Sequence, residues 1–131
     1  MARRTTNGDR GRRQKGFTLI ELLVVMAIIA TLTAFVAPGY LKQSDRAKET
    51  VLRHNLAAVR EAIEGYRADR DRDPESLEVL VQDRYLREVP LDPITGKRDS
   101  WILIPGPDGG VGDLASGASG RGLDGRTYES W

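Results

Sequence analysis

The chain has no cysteine and a single histidine, His54. A disulfide framework, a cysteine-containing zinc cluster and a cysteine–histidine nucleophile pair are therefore excluded, although small envelope and extracellular domains commonly depend on disulfides. Stability must come from packing, from a metal, or from neighbouring subunits. No glycine-rich phosphate-binding loop with its lysine is present. His54 falls on the polar side of a predicted helix with no serine positioned near it, and the chain reads as a non-enzyme. The most informative absence is of positive charge: between Phe17 and Leu41 there is no Lys, Arg or His.

That stretch is also long and apolar, as in Gly16-Phe17-Thr18-Leu19-Ile20-Glu21-Leu22-Leu23-Val24-Val25-Met26-Ala27-Ile28-Ile29-Ala30, and it reaches the ~20 residues that span a bilayer. Inside it stands Glu21. A carboxylate among membrane-spanning residues costs roughly 2.5–3.5 kcal/mol near a helix centre, so it needs a cationic partner. The stretch holds none, which leaves a charge from another chain or one created by cutting this chain. Residues 1–16 carry Arg3, Arg4, Arg10, Arg12, Arg13 and Lys15 against Asp9 alone, a leader that stays cytoplasmic by the positive-inside rule. A cut after Gly16 exposes an α-amino group on Phe17, with a reference pKa of about 7.7–8.0. Phe17 and Glu21 lie about one helical turn apart and the amine points along the axis, so pairing within one chain is hard. A staggered neighbour presents its carboxylate instead, and assembly then satisfies Glu21.

The segment Lys15-Gly16-Phe17-Thr18-Leu19-Ile20-Glu21 closely resembles the class III signal of type IV pilins and type II secretion pseudopilins. The resemblance implies a prepilin peptidase that cuts between Gly16 and Phe17 and methylates the new amine of Phe17, with Glu21 aligning subunits during assembly. An ordinary secretory signal fits poorly, because its apolar core is ~7–15 residues and ends in a small-x-small site. Here the core is longer, holds an acid, and offers only Thr31-Leu32-Thr33 and the proline-bearing Ala37-Pro38-Gly39. Arg12-Arg13 is a weak twin-arginine match, since Lys15 and Gly16 stand where apolar residues are usual. A plain transmembrane anchor shares the span but gives no reason for Gly16-Phe17.

Lys and Arg total 20 and Asp and Glu 19; the leader takes six of the former and one of the latter, leaving 14 against 18. The mature side chains are mildly acidic and give no support for nucleic-acid binding. About 90 residues remain for one soluble domain, near the size at which a core is marginal. From Leu52 the apolar residues Leu52, Leu56, Val59, Ile63 and Tyr66 step by four, three, four and three, the spacing of one buried helical stripe. This predicts a helix from Phe17 to about Asp69, with Glu49–Arg53 and Arg60–Glu64 as i,i+4 pairs on wetter faces. Pro38-Gly39 interrupts it, as a simple end to the membrane helix or, as in related pilins, as a kink. The charge run Arg67 to Asp73 reads as a solvated connection. Asp73 is then expected as the N-cap and Pro74 as the first residue of a short helix bearing Leu77, Leu80 and Val81.

The pattern from Asp73-Pro74-Glu75-Ser76-Leu77 through Leu80-Val81, Tyr85-Leu86, Pro90 and Asp92-Pro93 is similar to the major, G-type, pseudopilin of type II secretion, with Asp73 in place of that family's aromatic residue. Nine of the 14 glycines lie between Gly96 and Gly125. They separate Trp101-Ile102-Leu103-Ile104 from Val111-Gly112-Asp113-Leu114, with Pro105 to Gly110 as a turn, which predicts two or three short antiparallel strands laid across the helical stripe. Tyr128 and Trp131 are expected to plug the core. Asp108, Asp113 and Asp124 invite a Ca²⁺ reading. The resemblance implies a calcium loop matched by Asp113-Leu114-Ala115-Ser116-Gly117-Ala118-Ser119-Gly120, in which Ser119 replaces a liganding aspartate; solvated turn aspartates are the alternative.

The sequence is thus identified as that of a pseudopilin with an α+β, pilin-like fold: a long N-terminal helix, half transmembrane and half amphipathic, on a small C-terminal antiparallel sheet. Its expected parts are a leader (residues 1–16), a membrane and assembly segment (17–40) and a periplasmic domain (41–131). The expected partners are prepilin peptidase, other copies of the chain, minor pseudopilins, an inner-membrane assembly platform and lipid. The expected location is the bacterial inner membrane, single-pass, and then a periplasmic filament for protein export. Alternatives are a type IV pilin for adhesion, motility or DNA uptake, and a membrane-tethered periplasmic adaptor that never polymerises.

Overall fold

The computed structural model of the protein describes residues 2–3 and 15–131. Of the leader, Arg4, Asp9, Arg10, Arg12 and Arg13 lie outside the described residues. The element order is α1 (Leu19–Arg70), α2 (Leu77–Gln82), β1 (Ile102–Pro105), β2 (Val111–Ala115) and a closing 3₁₀ turn (Tyr128–Ser130). The architecture is α+β, a long helix packed on a small two-stranded sheet. The chain divides into two compact units between Pro38 and Gly39.

In the first unit, α1 exposes nearly every apolar side chain, and it is the one described helix long and apolar enough to cross a membrane. Its two hydroxyls suit an apolar solvent. Thr31 Oγ1 donates to the Ala27 carbonyl at 2.8 Å and Thr33 Oγ1 to the Ile29 carbonyl at 2.7 Å, so neither is left unsatisfied. The helix begins at Leu19 rather than Phe17, because Thr18 acts as its cap. It does not end at Pro38, and the reading of that proline as a simple helix end is corrected. A proline removes one i→i−4 bond, a defect a helix of 52 residues tolerates locally.

In the second unit, Leu52, Leu56, Val59, Ile63 and Tyr66 form the buried stripe that their spacing predicts. Leu77 and Leu80 of α2 close over it with Trp101, Val111, Leu114, Tyr128 and Trp131. Trp101 anchors its indole by donating Nε1–H to the Pro90 carbonyl at 2.9 Å. The strands pair antiparallel, Ile102 with Ala115 and Leu103 with Leu114, with an irregularity after Ile104. The start of β2 bonds back to the α1–α2 connection through Val111 N–H to the Pro74 carbonyl at 2.7 Å.

Three local expectations are corrected. Asp73 does not cap α2: its side chain is buried and one oxygen accepts from Arg67 at 2.6 Å, so Ser76 caps instead, its Oγ accepting from Val79 N–H. The run Arg67 to Asp73 is therefore no mere solvated connection. The reason lies in the hairpin, which presses Gly106 and Gly110 onto Asp73; a Cβ at Gly106 would fall 1.9 Å from Asp73 Oδ2. Second, Glu49 faces the interior rather than Arg53. Third, Arg60 turns from Glu64 toward β2. Both reach acceptors or donors more than fifty residues away, which outcompete the weak i,i+4 pairs of an exposed helix face.

Candidate functional site

Lys15, Gly16, Phe17 and Thr18 precede the first helical turn in non-helical, exposed backbone. Phe17 is 94% exposed, and no heavy atom stands within 4 Å of where a Cβ on Gly16 would lie. Among the described residues, none covers the Gly16–Phe17 bond. Immediately after it, Thr18 and Glu21 form a reciprocal cap: Glu21 N–H donates to Thr18 Oγ1 at 3.2 Å, and Thr18 N–H donates to Glu21 Oε2 at 3.0 Å. This is a capping box, which satisfies two of the helix's free N–H groups and sets a carboxylate at the positive end of the dipole. Glu21 thus gains a partner beyond the sequence expectation, which concerned only a cation. It has a neutral local partner, while no described cation pairs with it. The Thr-x-x-Glu spacing in Thr18-Leu19-Ile20-Glu21 carried that signal. A groove of about 610 Å³ lined by Phe17, Thr18, Leu19, Glu21, Leu22 and Val25 runs alongside, an apolar wall with one acid at its edge.

A second group of polar residues lies in the other unit and ties its C-terminal segment to α1. Glu49 Oε1 accepts from Leu123 N–H at 2.7 Å and from the Tyr128 hydroxyl at 3.1 Å. Burial, and then this bond to an anion, raise the Tyr128 pKa above its ordinary 10.0. A raised value means the neutral phenol is the form the fold prefers. Its contribution is intact below about pH 10 and is lost as pH climbs through the raised value. Tyr128→Phe is expected to cost about 1 kcal/mol at neutral pH through the lost hydrogen bond, and to flatten the fall of melting temperature on the alkaline side. Thermal scans between neutral and alkaline buffers check both; an equally steep alkaline fall in the variant would assign it elsewhere.

Asp113 and Asp124 are each engaged by arginine. Asp113 Oδ1 accepts from Arg60 Nε at 2.8 Å, and Asp124 Oδ2 accepts from Arg126 Nε at 2.9 Å and from Arg53 Nη2 at 3.4 Å. The backbone N–H of Arg126, then its guanidinium, hold the Asp124 pKa below its ordinary value. Asp108 sits in the hairpin turn. Among the described residues no three His, Asp or Glu side chains converge as a metal ligand set would. The donors around Asp113 and Asp124 do not fit a Ca²⁺ cage. A buried network that sequence reading missed centres on Asp92 and Ser116. Asp92 Oδ1 accepts from Ile94 N–H at 2.8 Å and Thr95 N–H at 3.3 Å, while Oδ2 accepts from Ser116 Oγ. His54 is exposed on α1.

Residues 11–37 match the family described as the prokaryotic N-terminal methylation motif. Over most of its length the chain is similar to proteins named type II secretion system core protein G. It is 33% identical to that of Pseudomonas aeruginosa, over 84% of this chain and 87% of the relative. It is 30% identical to that of Klebsiella michiganensis, over 85% and 88%, and 30% identical to that of Vibrio cholerae, over 84% of each. No solved structure matches the chain.

Proposed function

We propose, from the premise that this chain belongs to the type II secretion system core protein G family, that its assembly site is made by one cut and used by two copies. The protein is a pseudopilin, a structural subunit of the type II secretion pseudopilus, anchored by its apolar N-terminal helix. Prepilin peptidase removes the basic leader between Gly16 and Phe17 and methylates Phe17. The domain from Gly39 onward then faces the periplasm, with the leader on the cytoplasmic side. No catalytic role is assigned to any residue.

The observation that carries this reading is the capping box directly after an exposed Gly16–Phe17 bond. Thr18 N–H belongs to the Phe17–Thr18 peptide, so the box survives the cut. A carboxylate accepts several hydrogen bonds across two oxygens. Oε2 stays on Thr18 N–H, fixing the side chain, while Oε1 is free to take the ammonium of a staggered neighbour's Phe17. The neighbouring helix packs in the groove beside Glu21, where lipid or protein, not water, surrounds the pair. The relatives carry the secretion name over most of the chain, which favours this reading over an adhesive or motile pilus and over a tethered monomer.

N-terminal sequencing and intact-mass measurement of the protein extracted from membranes test the processing step. The expected chain starts at a monomethylated Phe17. A chain starting elsewhere, or one retaining residues 1–16, would sink the reading.

A further inference from the structure

We propose that Arg60, supported by Arg53 and Arg126, fastens the C-terminal segment (residues 116–131) to α1 where the family resemblance implies a Ca²⁺ loop, so that this subunit folds without a divalent cation. The inference uses the chain's family membership but does not depend on filament formation.

Ca²⁺ takes about six to eight oxygen ligands, mostly carboxylates and carbonyls. Several of the oxygens nearest this candidate loop are already bound to N–H groups. Asp113 Oδ1 accepts from Arg60 Nε at 2.8 Å and from Leu114 N–H at 2.7 Å. The carbonyls of Leu114 and Trp131 accept from Arg60 Nη2 at 3.1 and 2.7 Å. Asp124 gives Oδ1 to Arg126 N–H at 3.0 Å and Oδ2 to the Arg126 and Arg53 side chains. Ser119 brings no carboxylate. A cation entering here must evict a guanidinium and face two others, against like charge.

The guanidinium does what a bound cation would otherwise do. It is planar, always charged, and presents five donors and no acceptor. From one position on α1, Arg60 reaches β2 through Asp113 and Leu114, and the last residue of the segment through Trp131. Arg53 and Arg126 lie 4.4 and 6.0 Å from the centroid of the Trp131 ring, a cation–π arrangement that holds the indole over the helix. These side chains line a cleft of about 270 Å³ together with Leu56 and Ser130. Charge balance is local: Asp113 and Asp124 each have an arginine where a metal would otherwise sit.

Thermal melting and limited proteolysis of the full chain in detergent, in millimolar Ca²⁺ and in EGTA, test the proposal. The two wild-type curves are expected to superimpose. Arg60→Gln is expected to lower the melting temperature by at least roughly 4–8 °C in both buffers, and to open the segment after Leu114 to protease. Arg60→Lys, a point charge in place of a fork, should recover only part of that loss. A saturable rise of several degrees with Ca²⁺ in the wild type would overturn the proposal, as would an Arg60→Gln chain that melts like the wild type. Should Arg60→Gln not fold, calorimetric titration of the wild type with Ca²⁺ decides: no saturable heat is expected, and a stoichiometric one refutes it. None of these readouts requires a filament, so a failure of assembly is not confused with a failure of this inference.

Discussion

Glu21→Ala should abolish filament formation while leaving cleavage at Gly16–Phe17 intact. The energy at stake is bounded by the cost of an unpaired carboxylate in the bilayer, roughly 2.5–3.5 kcal/mol. Expressed as an equilibrium constant, that is up to ~70–400-fold for each subunit contact, enough to take a polymer made of many such contacts below detection. Alanine removes both the charge and the cap, so two further variants separate their contributions. Glu21→Gln keeps the capping box, since glutamine serves at the same position, but cannot pair with an ammonium. Thr18→Val keeps the charge and removes the capping hydroxyl, at a cost of about 1 kcal/mol. Gln is expected to fail nearly as completely as Ala, and Val to assemble with reduced yield. Sheared-filament yield and cross-linking between Phe17 and residue 21 of adjacent copies measure this. Wild-type assembly by Glu21→Gln would show that the cap suffices and that no counter-ion is needed.

Asp92→Ala should unfold the second unit at temperatures where the wild type is intact. Asp92 is fully buried, yet its described partners are two backbone N–H groups and the Ser116 hydroxyl rather than a cation. Ser116 in turn accepts from Ala118 N–H at 3.1 Å, so the network joins the Asp92-Pro93 loop to the segment after β2. Alanine strands the buried Ser116 hydroxyl and two part-buried N–H groups, a buried unpaired donor costing about 1–3 kcal/mol, against a total stability that for a domain is on the order of 5–15 kcal/mol. A net loss of about 3–5 kcal/mol lowers the melting temperature by roughly 12 °C or more at this size. Asp92→Asn keeps the shape and one acceptor oxygen, and should cost about 1–2 kcal/mol. Melting followed by circular dichroism gives both values. An alanine variant within a few degrees of the wild type would mean that water replaces the carboxylate in the network.

What could be read from the sequence was what repeats locally. The four-three-four-three spacing from Leu52 to Tyr66 located the buried face of α1 because a helix repeats every 3.6 residues. The glycine-bounded runs Trp101–Ile104 and Val111–Leu114 located the hairpin because turn chemistry is local. Gly16-Phe17 and Glu21 stood out because a lone acid in an apolar run is costly. The Thr18–Glu21 box is equally legible, in a Thr-x-x-Glu spacing that pairs backbone donors rather than charges. Other features could not be read. Glu49 lies 79 positions from Tyr128 and Arg60 lies 53 from Asp113, and no short-range rule pairs them. Asp73 followed by Pro74 has the form of a helix start. What overrides it is the hairpin tip, whose glycines leave room for one oxygen of the Asp73 carboxylate while its other oxygen pairs with Arg67.

The attachments of the C-terminal segment to α1 have a mechanical meaning. Glu49 and Arg60 grip that segment at points roughly 16 Å apart along the helix, at 1.5 Å per residue. Two separated grips on one rigid element hold the segment against swinging as well as against departure, so breaking either one alone does not release it. Within the second unit the helix acts as a splint and the C-terminal segment as a strap fastened at both ends.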